Sequence, residues 1–398
     1  MPQRTVIVGA SLAGLRAAET LRQHGYDGTI TMVGNERHLP YDRPPLSKRV
    51  LTGQAEPEST TFPVPDTLGI DWVLGRAATG LDLDLGRIRL DGGDELAYDR
   101  LLIATGASPR IMNGAPPGPG VHYLRTLDDA IALRADLQKS RSLVVIGAGF
   151  IGLEVACSAQ QLGVPTVVLE ALPVPLERAL GAGVGAAVAA WHRAKGTDLR
   201  VGVGVDGLAT GPDGRPEAVR LGDGTTVPAD TVVVGIGVTP AVGWLAGAGV
   251  DLDDGVRCDS RLRVLAGGRP VPDVLAAGDV ARWTHPAYRE PVRVEHWTNA
   301  TESGEAAAMT MILGDSADPY DPTPYFWSDQ HGVKLQMVGR AEPGSDTTVL
   351  EGSFEEDRVL IAYGAAGRLV AAIGIRRPAR VMALAGQIAA GAAYPPQG

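Results

Sequence analysis

The sequence predicts an α/β protein, and three observations support this. Strand-like and helix-like segments alternate along most of the chain, a glycine-rich turn joins a strand to a helix in two places, and the composition is that of a globular protein. Of the 398 residues, 44% are hydrophobic and 21% are charged, and this length predicts two or three domains of about 100–200 residues each. The 52 glycines and 29 prolines follow no repeat period, which excludes collagen-like and low-complexity structure.

Charge and cysteine content exclude several classes of function. The net charge of −10 disfavours nucleic acid and anionic membranes as main partners. The two cysteines, Cys157 and Cys258, are far apart and lack CxxC spacing, so neither a disulfide framework nor a redox-active dithiol is indicated. A reducing cytoplasm is the compartment that fits best.

The first elements form a βαβ unit. A strand is predicted at Thr5–Val8, a helix at Leu12–Gln23 and a second strand at Thr29–Val33, with Gly25 ending the helix. The apolar run over Thr5–Leu15 resembles the core of a signal peptide, but this strand and helix explain it better.

The same pattern returns later in the chain. A strand is predicted at Ser142–Ile146, a helix at Ile151–Leu162 and a strand at Thr166–Leu169. The uncharged segment Thr231–Val250 contains Pro240 and opens with a β-branched run, so it is interpreted as strand plus loop rather than a membrane span.

The turn of the second unit is a complete GxGxxG, Gly147-Ala148-Gly149-Phe150-Ile151-Gly152. Such glycines permit a tight turn and let backbone N–H groups reach a pyrophosphate at the helix N-terminus. Glu170 follows about 20 residues later, where a carboxylate accepts hydrogen bonds from ribose hydroxyls and repels a 2′-phosphate. The second unit therefore predicts NADH binding in preference to NADPH.

The turn of the first unit, Gly9-Ala10-Ser11-Leu12-Ala13-Gly14, has Ser11 in place of the middle glycine. Serine is small and its hydroxyl can itself donate to a phosphate, and Glu36 follows as a ribose acceptor. Two such units in one chain predict two Rossmann-like domains and two bound dinucleotides.

The C-terminal part has a different pattern. Pro/Gly-rich segments at Pro109–Pro119 and Pro319–Pro324 are candidate domain boundaries. Beyond the second boundary, short alternating strands at 334–338, 347–351 and 359–363 precede a helix at 379–390, which predicts a small α+β domain.

Taken together, these residues resemble the FAD-dependent NADH:ferredoxin reductases of bacterial oxygenase systems, of the putidaredoxin reductase and biphenyl-dioxygenase reductase type. The wider group is the glutathione-reductase-like flavoproteins with two dinucleotide sites. The resemblance covers nearly the whole chain, and beyond the two glycine-rich turns it rests on the segments 41–48 (YDRPPLSK), 104–107 (ATGA), 235–240 (GIGVTP), 276–281 (AAGDVA), 295–300 (EHWTNA) and 326–330 (FWSDQ).

The resemblance implies three domains and a set of cofactor-binding residues. The domains are a discontinuous FAD-binding domain (1–108 and 236–318), an NADH-binding domain (109–235) and the C-terminal α+β domain (319–398). The residues implied to bind FAD are Gly9, Ser11, Leu12, Ala13, Gly14, Glu36, Arg43, Pro44, Lys48, Ala104, Thr105, Gly106, Gly278, Asp279, Glu295, His296 and Trp297. Those expected to bind NADH are Gly147, Gly149, Gly152 and Glu170, and Phe150, Ile151 and Gly237 are further expected cofactor-binding residues.

The resemblance also implies catalytic positions. Lys48 is expected near flavin N5, paired with Glu154, so that a fixed ion pair organises the site. Phe150 is expected over the flavin ring and Trp327 at its edge. The segment Asn299–Glu302 is interpreted as a capping box that starts a helix through 306–312, whose positive end would favour reduced flavin.

Some chemistry is absent from the sequence. No cysteine lies in the first 60 residues, which argues against disulfide reductases, coenzyme A-disulfide reductases and cysteine-dependent peroxidases. The seven histidines show no metal-ligand spacing, and no metal is predicted. His296 is interpreted as structural or flavin-edge rather than as a general acid.

The resulting hypothesis is a cytoplasmic NADH-dependent reductase that passes electrons through FAD to a two-iron, two-sulfur ferredoxin feeding an oxygenase. An acidic ferredoxin requires a local basic patch, for which the candidates are Arg293, Lys334, Arg376, Arg377 and Arg380. A monomer or weak dimer is expected. Three alternatives stay open: a reductase of monodehydroascorbate or rubredoxin type, a redox sensor resembling apoptosis-inducing factor, and a type II NADH dehydrogenase.

Overall fold

The computed structural model describes residues 3–396 and divides the chain into two compact units. The first comprises Met1–Asp42, Thr61–Ser108 and Thr239–Pro324, and the second comprises Arg43–Thr60, Pro109–Val238 and Tyr325–Gly398.

The strands are β1 (Arg4–Val8), β2 (Thr29–Gly34), β3 (Ile70–Leu74), β4 (Ala78–Asp82), β5 (Arg87–Leu90), β6 (Glu95–Ala97), β7 (Arg100–Ile103), β8 (Ala107–Pro109), β9 (Val121–His122), β10 (Leu143–Ile146), β11 (Thr166–Glu170), β12 (Asp198–Val201), β13 (Val205–Thr210), β14 (Pro216–Leu221), β15 (Thr226–Pro228), β16 (Thr231–Val234), β17 (Val238–Pro240), β18 (Val256–Cys258), β19 (Arg263–Ala266), β20 (Arg269–Ala276), β21 (Ala281–His285), β22 (Glu290–Val292), β23 (Tyr325–Gln330), β24 (Val333–Gly339), β25 (Asp346–Ser353), β26 (Arg358–Ala365) and β27 (Arg368–Ile375). The helices are α1 (Leu12–Gln23), α2 (Leu127–Leu137), α3 (Phe150–Gln161), α4 (Glu177–Ala194), α5 (Trp297–Leu313) and α6 (Pro378–Ala389). Short 3₁₀ helices lie at Pro44–Ser47, Pro57–Thr60, Asp66–Leu68, Asp91–Gly93, Gly243–Leu245, Gly278–Val280 and Gly314–Ser316.

The first unit is built on a nine-stranded sheet in the order β22-β21-β18-β19-β20-β7-β1-β2-β3. The run from β20 to β3 is parallel, and its central strands are apolar on both faces, as a parallel sheet covered by helices requires. Helices α1 and α5 approach closely at Gly304, where a Cβ would lie 2.4 Å from the Ala13 carbonyl oxygen. This parallel core brings the ends of β1, β7 and β20 to one edge of the sheet.

The second unit contains a parallel sheet in the order β12-β11-β10-β16-β9 and an antiparallel sheet in the order β23-β24-β27-β26-β25. Helix α3 follows β10, and α6 packs on the antiparallel sheet, with Val381 and Leu384 buried. Leu153 of α3 belongs to the same buried apolar cluster as Val333 and Ile361 of the antiparallel sheet. The C-terminal sheet and the parallel sheet therefore share a core.

The predicted α/β class with a C-terminal α+β segment is confirmed. Helix α1 begins and ends where the periodicity placed it, and β1, β2, β10, β11 and α3 match their predicted segments within two residues. The three-domain division stays a prediction. Within residues 3–396, none of the helices combines the length and apolar composition that a membrane span requires.

The predicted capping box at Asn299–Glu302 is wrong. Helix α5 begins at Trp297 with His296 as N-cap, so Asn299 already lies in its first turn. The Asn299 amide donates to the Val294 carbonyl at 2.8 Å, and its oxygen accepts from the Tyr320 hydroxyl at 3.0 Å. Tertiary hydrogen bonds to a buried amide, rather than a cap, explain this asparagine.

Candidate nucleotide and electron-transfer site

The first glycine-rich turn lies between β1 and α1. Gly9 has φ +132°, and a Cβ there would stand 2.0 Å from the Ala104 carbonyl oxygen; a Cβ at Gly14 would stand 2.3 Å from the Gly9 carbonyl oxygen. Ser11 is the N-cap in an extended conformation, and among the residues described its side chain makes no capping hydrogen bond to α1. The first N–H groups of the helix are thus available to an anionic ligand such as a pyrophosphate.

The other predicted FAD contacts of the first unit lie at the same edge of its sheet. Ala104, Thr105 and Gly106 follow β7, and the Thr105 hydroxyl donates to the Ala241 carbonyl at 2.9 Å. Gly278 and Asp279 follow β20, where the Gly278 N–H donates to the Ser303 hydroxyl at 2.8 Å. Ligands of open parallel sheets bind at the carboxyl ends of the strands, which is where these segments converge.

Glu36 and the start of α5 complete this part of the first unit. Glu36 follows β2, and its carboxylate accepts a hydrogen bond of 2.5 Å from the Tyr41 hydroxyl. Trp297, the first residue of α5, donates from its indole N–H to Asp42 at 2.8 Å, and Glu295 pairs with Arg293. Burial lowers the pKa of His296 to about 4, so its imidazole is neutral at pH 7, which suits the predicted structural role.

The second glycine-rich turn has the same construction between β10 and α3. A Cβ at Gly147, with φ +101°, would lie 2.4 Å from the Gly235 carbonyl oxygen, and one at Gly152 would lie 2.2 Å from the Gly147 carbonyl oxygen. At Gly149, the N-cap of α3, the nearest atom to a Cβ would be 3.8 Å away. Two glycines are therefore required by the fold, whereas the middle one leaves open space at the helix N-terminus where a pyrophosphate would fit.

Glu170 is the last residue of β11 and is held against this turn. Its two carboxylate oxygens accept the backbone N–H groups of Ala148 at 2.7 Å and Leu172 at 2.9 Å. Gly237, with φ +100°, has no heavy atom of the described residues within 4 Å of an added Cβ. The carboxylate thus stands beside the second glycine-rich turn, and its role as a ribose ligand stays a prediction.

Glu154 is a buried carboxylate with four donors. Its side chain is 3% exposed, and Oε2 accepts from the Lys48 ammonium at 2.8 Å and the Ser47 hydroxyl at 2.5 Å. Oε1 accepts from the Ser328 hydroxyl at 2.6 Å and the Asp329 N–H at 3.3 Å. A buried charge is tolerated when it is paired and its remaining lone pairs are satisfied.

This network includes residues that the predictions missed. Ser47 and Ser328 were not among the candidate site residues, although both lie inside the quoted segments 41–48 and 326–330. A serine next in sequence to the predicted ion-pair residue Lys48 was the available signal, because an ionised carboxylate can accept further hydrogen bonds beside that from the lysine.

The remaining predicted residues of the second unit surround the same region. Phe150 opens α3 and meets Phe326 edge to face, with ring centroids 4.6 Å apart. Trp327 lies on β23, with the Lys334 ammonium 5.2 Å from its ring centroid. Arg43 donates to the Arg125 carbonyl at 2.7 Å, and Pro44 begins the 3₁₀ helix that carries Ser47.

The predicted residues are thus divided between the two units. The first unit holds the residues of the first turn together with Glu36, Ala104, Thr105, Gly106, Gly278, Asp279, Glu295, His296 and Trp297; the second holds Arg43, Pro44, Lys48, Glu154, Trp327 and the residues of the second turn with Glu170 and Gly237. Their roles as cofactor ligands stay predictions.

Comparison with known proteins gives a consistent result along the chain. Residues 3–304 match the pyridine nucleotide-disulphide oxidoreductase family, and residues 325–397 match the reductase C-terminal family. Rhodocoxin reductase of Rhodococcus erythropolis is 38% identical over 384 residues, covering 95% of this chain and 87% of that protein. The ferredoxin–NAD(+) reductase component of the p-cumate 2,3-dioxygenase system of Pseudomonas putida is 41% identical over 344 residues, covering 86% of this chain and 82% of the relative.

Solved structures of related proteins have the same fold as this chain. The reductase in the covalent putidaredoxin reductase–putidaredoxin complex superposes with a TM-score of 0.91 at 34% identity, covering 98% of this chain and 93% of that one. The structure titled Fdr9 superposes with a TM-score of 0.88 at 41% identity, covering 99% and 96% of the two chains.

Proposed function

This chain belongs to the pyridine nucleotide-disulphide oxidoreductase family, and from that premise we propose that it is an NADH-dependent, FAD-containing ferredoxin reductase of a bacterial oxygenase system. The observation that carries the proposal is the pair of dinucleotide-binding turns, each at the end of a central parallel strand and each followed by a carboxylate. This chain covers 87% of rhodocoxin reductase and 82% of the ferredoxin–NAD(+) reductase component of the p-cumate dioxygenase system, which supports a reductase activity of the same kind here.

The residues fit one dinucleotide on each unit. The turn at Gly9–Gly14 would hold the pyrophosphate of FAD at the N-terminus of α1, and the turn at Gly147–Gly152 would hold that of NADH at the N-terminus of α3. When bound, FAD accepts a hydride from NADH and releases single electrons to a one-electron acceptor. Glu36 and Glu170 would each orient a ribose through its hydroxyls.

The Lys48–Glu154 pair would provide fixed charge at the site. Lys48 is held by Glu154 and by the Pro44 carbonyl at 3.0 Å, so its ammonium has one position. The pair is buried, and the hydroxyls of Ser47 and Ser328 hold the Glu154 carboxylate in place. The charges would therefore not have to reorganise during turnover, which is how preorganised charge assists a reaction.

Thiol chemistry is not part of the proposal, despite the family's name. Burial raises the pKa of Cys157 to about 12, and Cys258 is fully buried with its pKa raised for the same reason. Neither thiol can act as a thiolate nucleophile at pH 7 in this state. The chain therefore fits reductases in which only the flavin and the nicotinamide change redox state.

The partner is proposed to be an acidic two-iron, two-sulfur ferredoxin that docks transiently. Of the candidate docking residues, Arg293 is paired with Glu295 and Asp254, Lys334 with Asp329, and both Arg377 and Arg380 with Glu351. Arg376 is exposed at the start of the loop before α6. We propose Arg376 as the centre of the basic patch. We also propose that the protein works in the cytoplasm, because its two free thiols suit a reducing compartment.

The hydride step is tested anaerobically with the purified holoprotein. NADH should bleach the flavin absorbance far faster than NADPH does, and adding a ferredoxin should restore it at once. A flavin that NADH does not bleach would refute the proposal. A long-lived charge-transfer band that ferredoxin leaves unchanged would instead indicate a redox sensor.

A further inference from the structure

Three side chains that commonly bind metals meet in the second unit, apart from the residues assigned to FAD and NADH. They are Cys157 on α3, His192 on α4 and His331 in the turn between β23 and β24. One donor atom from each lies within 4.8 Å of the other two. Because His192 and His331 are 139 residues apart in sequence, no spacing motif could reveal the group.

The hydrogen bonds around His192 leave its Nδ1 lone pair directed towards His331 and available to a metal ion. Its Nε2 lies 2.8 Å from the Gln330 side-chain oxygen, whose amide nitrogen donates to the Ser328 hydroxyl at 2.9 Å. This network assigns the proton of His192 to Nε2, so Nδ1 carries a lone pair. Metal-bound histidines characteristically donate their second ring N–H to such an oxygen acceptor.

His331 supplies the second nitrogen. Its Nε2 lies 2.9 Å from His192 Nδ1, so the two rings share a hydrogen bond. A bound ion would take the place of the proton in that hydrogen bond. His331 has φ +49° and Gly332 has φ +74° in a two-residue hairpin turn, a pattern that favours Asn-Gly. Asparagine suits this backbone conformation better than histidine does, which points to a function for the His331 ring.

A pocket leads to two of the three side chains, and the lysine that lines it is paired with a carboxylate. A pocket of about 710 Å³ is lined by Cys157, His331, Thr166, Gln160 and Lys195. The Lys195 ammonium is paired with Asp357 at 2.7 Å, which offsets its repulsion of a cation.

We propose that Cys157, His192 and His331 form a binding site for a divalent transition-metal ion of the zinc class, with the fourth position open to the pocket. A thiolate with two imidazoles is a ligand set that zinc and cobalt accept in tetrahedral geometry. On binding, the Cys157 thiol releases one proton to solvent and the His331 proton moves from Nε2 to Nδ1. No electron is transferred. The ion would tie α3 and α4 to the β23–β24 turn.

Cobalt titration of the chelator-treated holoprotein tests this site. We expect one Co²⁺ per chain, seen as the visible d–d bands of tetrahedral cobalt at longer wavelength than the flavin band, and displacement of these bands by Zn²⁺. Cys157→Ser and His331→Gln should abolish the bands. Gln330→Ala should weaken binding by about 10- to 100-fold, since it removes the acceptor that orients His192.

Matched controls are Cys258→Ser, at the other buried thiol, and His24→Gln, at an exposed histidine; both should bind cobalt like the parent. Circular dichroism verifies that each variant is folded. Zn²⁺ should raise the melting temperature of the parent and of both controls but not of the two ligand variants. Absence of tetrahedral cobalt bands, or bands that survive both ligand substitutions, would overturn the proposal whatever the reductase activity is.

Discussion

At the scale of single residues, we propose that the Glu170 side chain decides which nucleotide the second unit accepts. Glu170 holds its carboxylate against the glycine-rich turn through two backbone N–H groups, so its charge has a fixed position. Ribose hydroxyls can donate to it, whereas a 2′-phosphate would meet a like charge.

We therefore expect Glu170→Ala to lower kcat/KM for NADH by about 10- to 100-fold, the loss of a charged hydrogen bond of about 1.5–3 kcal/mol. The kcat/KM for NADPH should stay unchanged or rise. Steady-state kinetics with both nucleotides measures the ratio, and Glu355→Ala, at a fully exposed carboxylate, is the control. An unchanged NADH/NADPH ratio would contradict the ribose assignment.

Ser11 poses the corresponding question for FAD. It caps α1 in an extended conformation that serine and glycine both adopt, and its hydroxyl makes no capping bond within the described chain. Ser11→Gly should keep or tighten FAD binding, with a change of only a few tenths of a kcal/mol. Flavin release measured by fluorescence gives the dissociation constant. A large loss of affinity would show that the hydroxyl is itself a specific phosphate ligand.

Buried histidines should make stability depend on pH. His192 and His331 have pKa values lowered by burial to about 4, below the value near 6.5 of an unfolded histidine. Between these values the unfolded chain binds more protons than the folded one, so stability is full above pH 6.5 and is lost as pH falls towards 4.

In metal-free protein, the melting temperature should therefore drop between pH 7 and pH 5, and His331→Gln should reduce that drop. Differential scanning fluorimetry across this range provides the comparison, with His24→Gln as the exposed control. Equal pH dependence in the parent and in His331→Gln would show that this ring takes up its proton over the same pH range in the folded and unfolded states.

At the scale of elements, the strand–turn–helix units are the best-predicted features. Their strands are buried on both faces, α1 has one apolar face, and α3 is buried on most sides over residues 152–159, so local patterning and tertiary packing agree. The start of α5 was misplaced because Asn299 looks like a cap in sequence but serves buried hydrogen bonds with Val294 and Tyr320. Such long-range partners are invisible to local patterns.

The second turn separates fold from ligand binding within one element. Gly152→Ala would place a Cβ 2.2 Å from the Gly147 carbonyl oxygen, whereas Gly149→Ala meets nothing closer than 3.8 Å. We expect Gly152→Ala to destabilise the protein by about 1–3 kcal/mol or more through overpacking. Gly149→Ala should leave the melting temperature unchanged but raise the KM for NADH, because its methyl group would occupy the space of the pyrophosphate.

Thermal melts and NADH kinetics on the two variants measure both effects. If Gly149→Ala bound NADH like the parent, the turn would not be the pyrophosphate site.

At the scale of the whole molecule, charge decides which partner can dock. A chain with net charge −10 repels an acidic ferredoxin except where bases are exposed. Reversing Arg376, the exposed candidate proposed as the centre of the patch, to Glu should raise the KM for ferredoxin by about 10-fold at low ionic strength, and salt should reduce this increase. NADH-driven flavin bleaching should be unaffected.

Arg141→Glu is the matched control, because Arg141 is a highly exposed arginine outside the candidate patch, with a side chain that is 90% exposed. Unchanged ferredoxin kinetics in Arg376→Glu at low salt would remove this arginine from the docking surface.

Motif spacing predicted the nucleotide turns and their carboxylates because each lies within one contiguous βαβ unit. The serines around Glu154 and the Cys157–His192–His331 group could not be predicted in this way. Each joins segments more than a hundred residues apart. Packing of the C-terminal sheet against α3 and α4 brings Ser328 and His331 to their partners, and packing of the 3₁₀ helix Pro44–Ser47 brings Ser47 to Glu154.

The central claim is that electrons from NADH leave this protein for a ferredoxin. The most direct test is the steady-state rate of NADH-driven cytochrome c reduction by the purified holoprotein, with and without two-iron, two-sulfur ferredoxins from the same organism. The account predicts a rate that rises steeply and saturably with one of these ferredoxins. A flavin that NADH reduces, with no stimulation by any of them, would contradict it and indicate a small-molecule acceptor or a redox sensor.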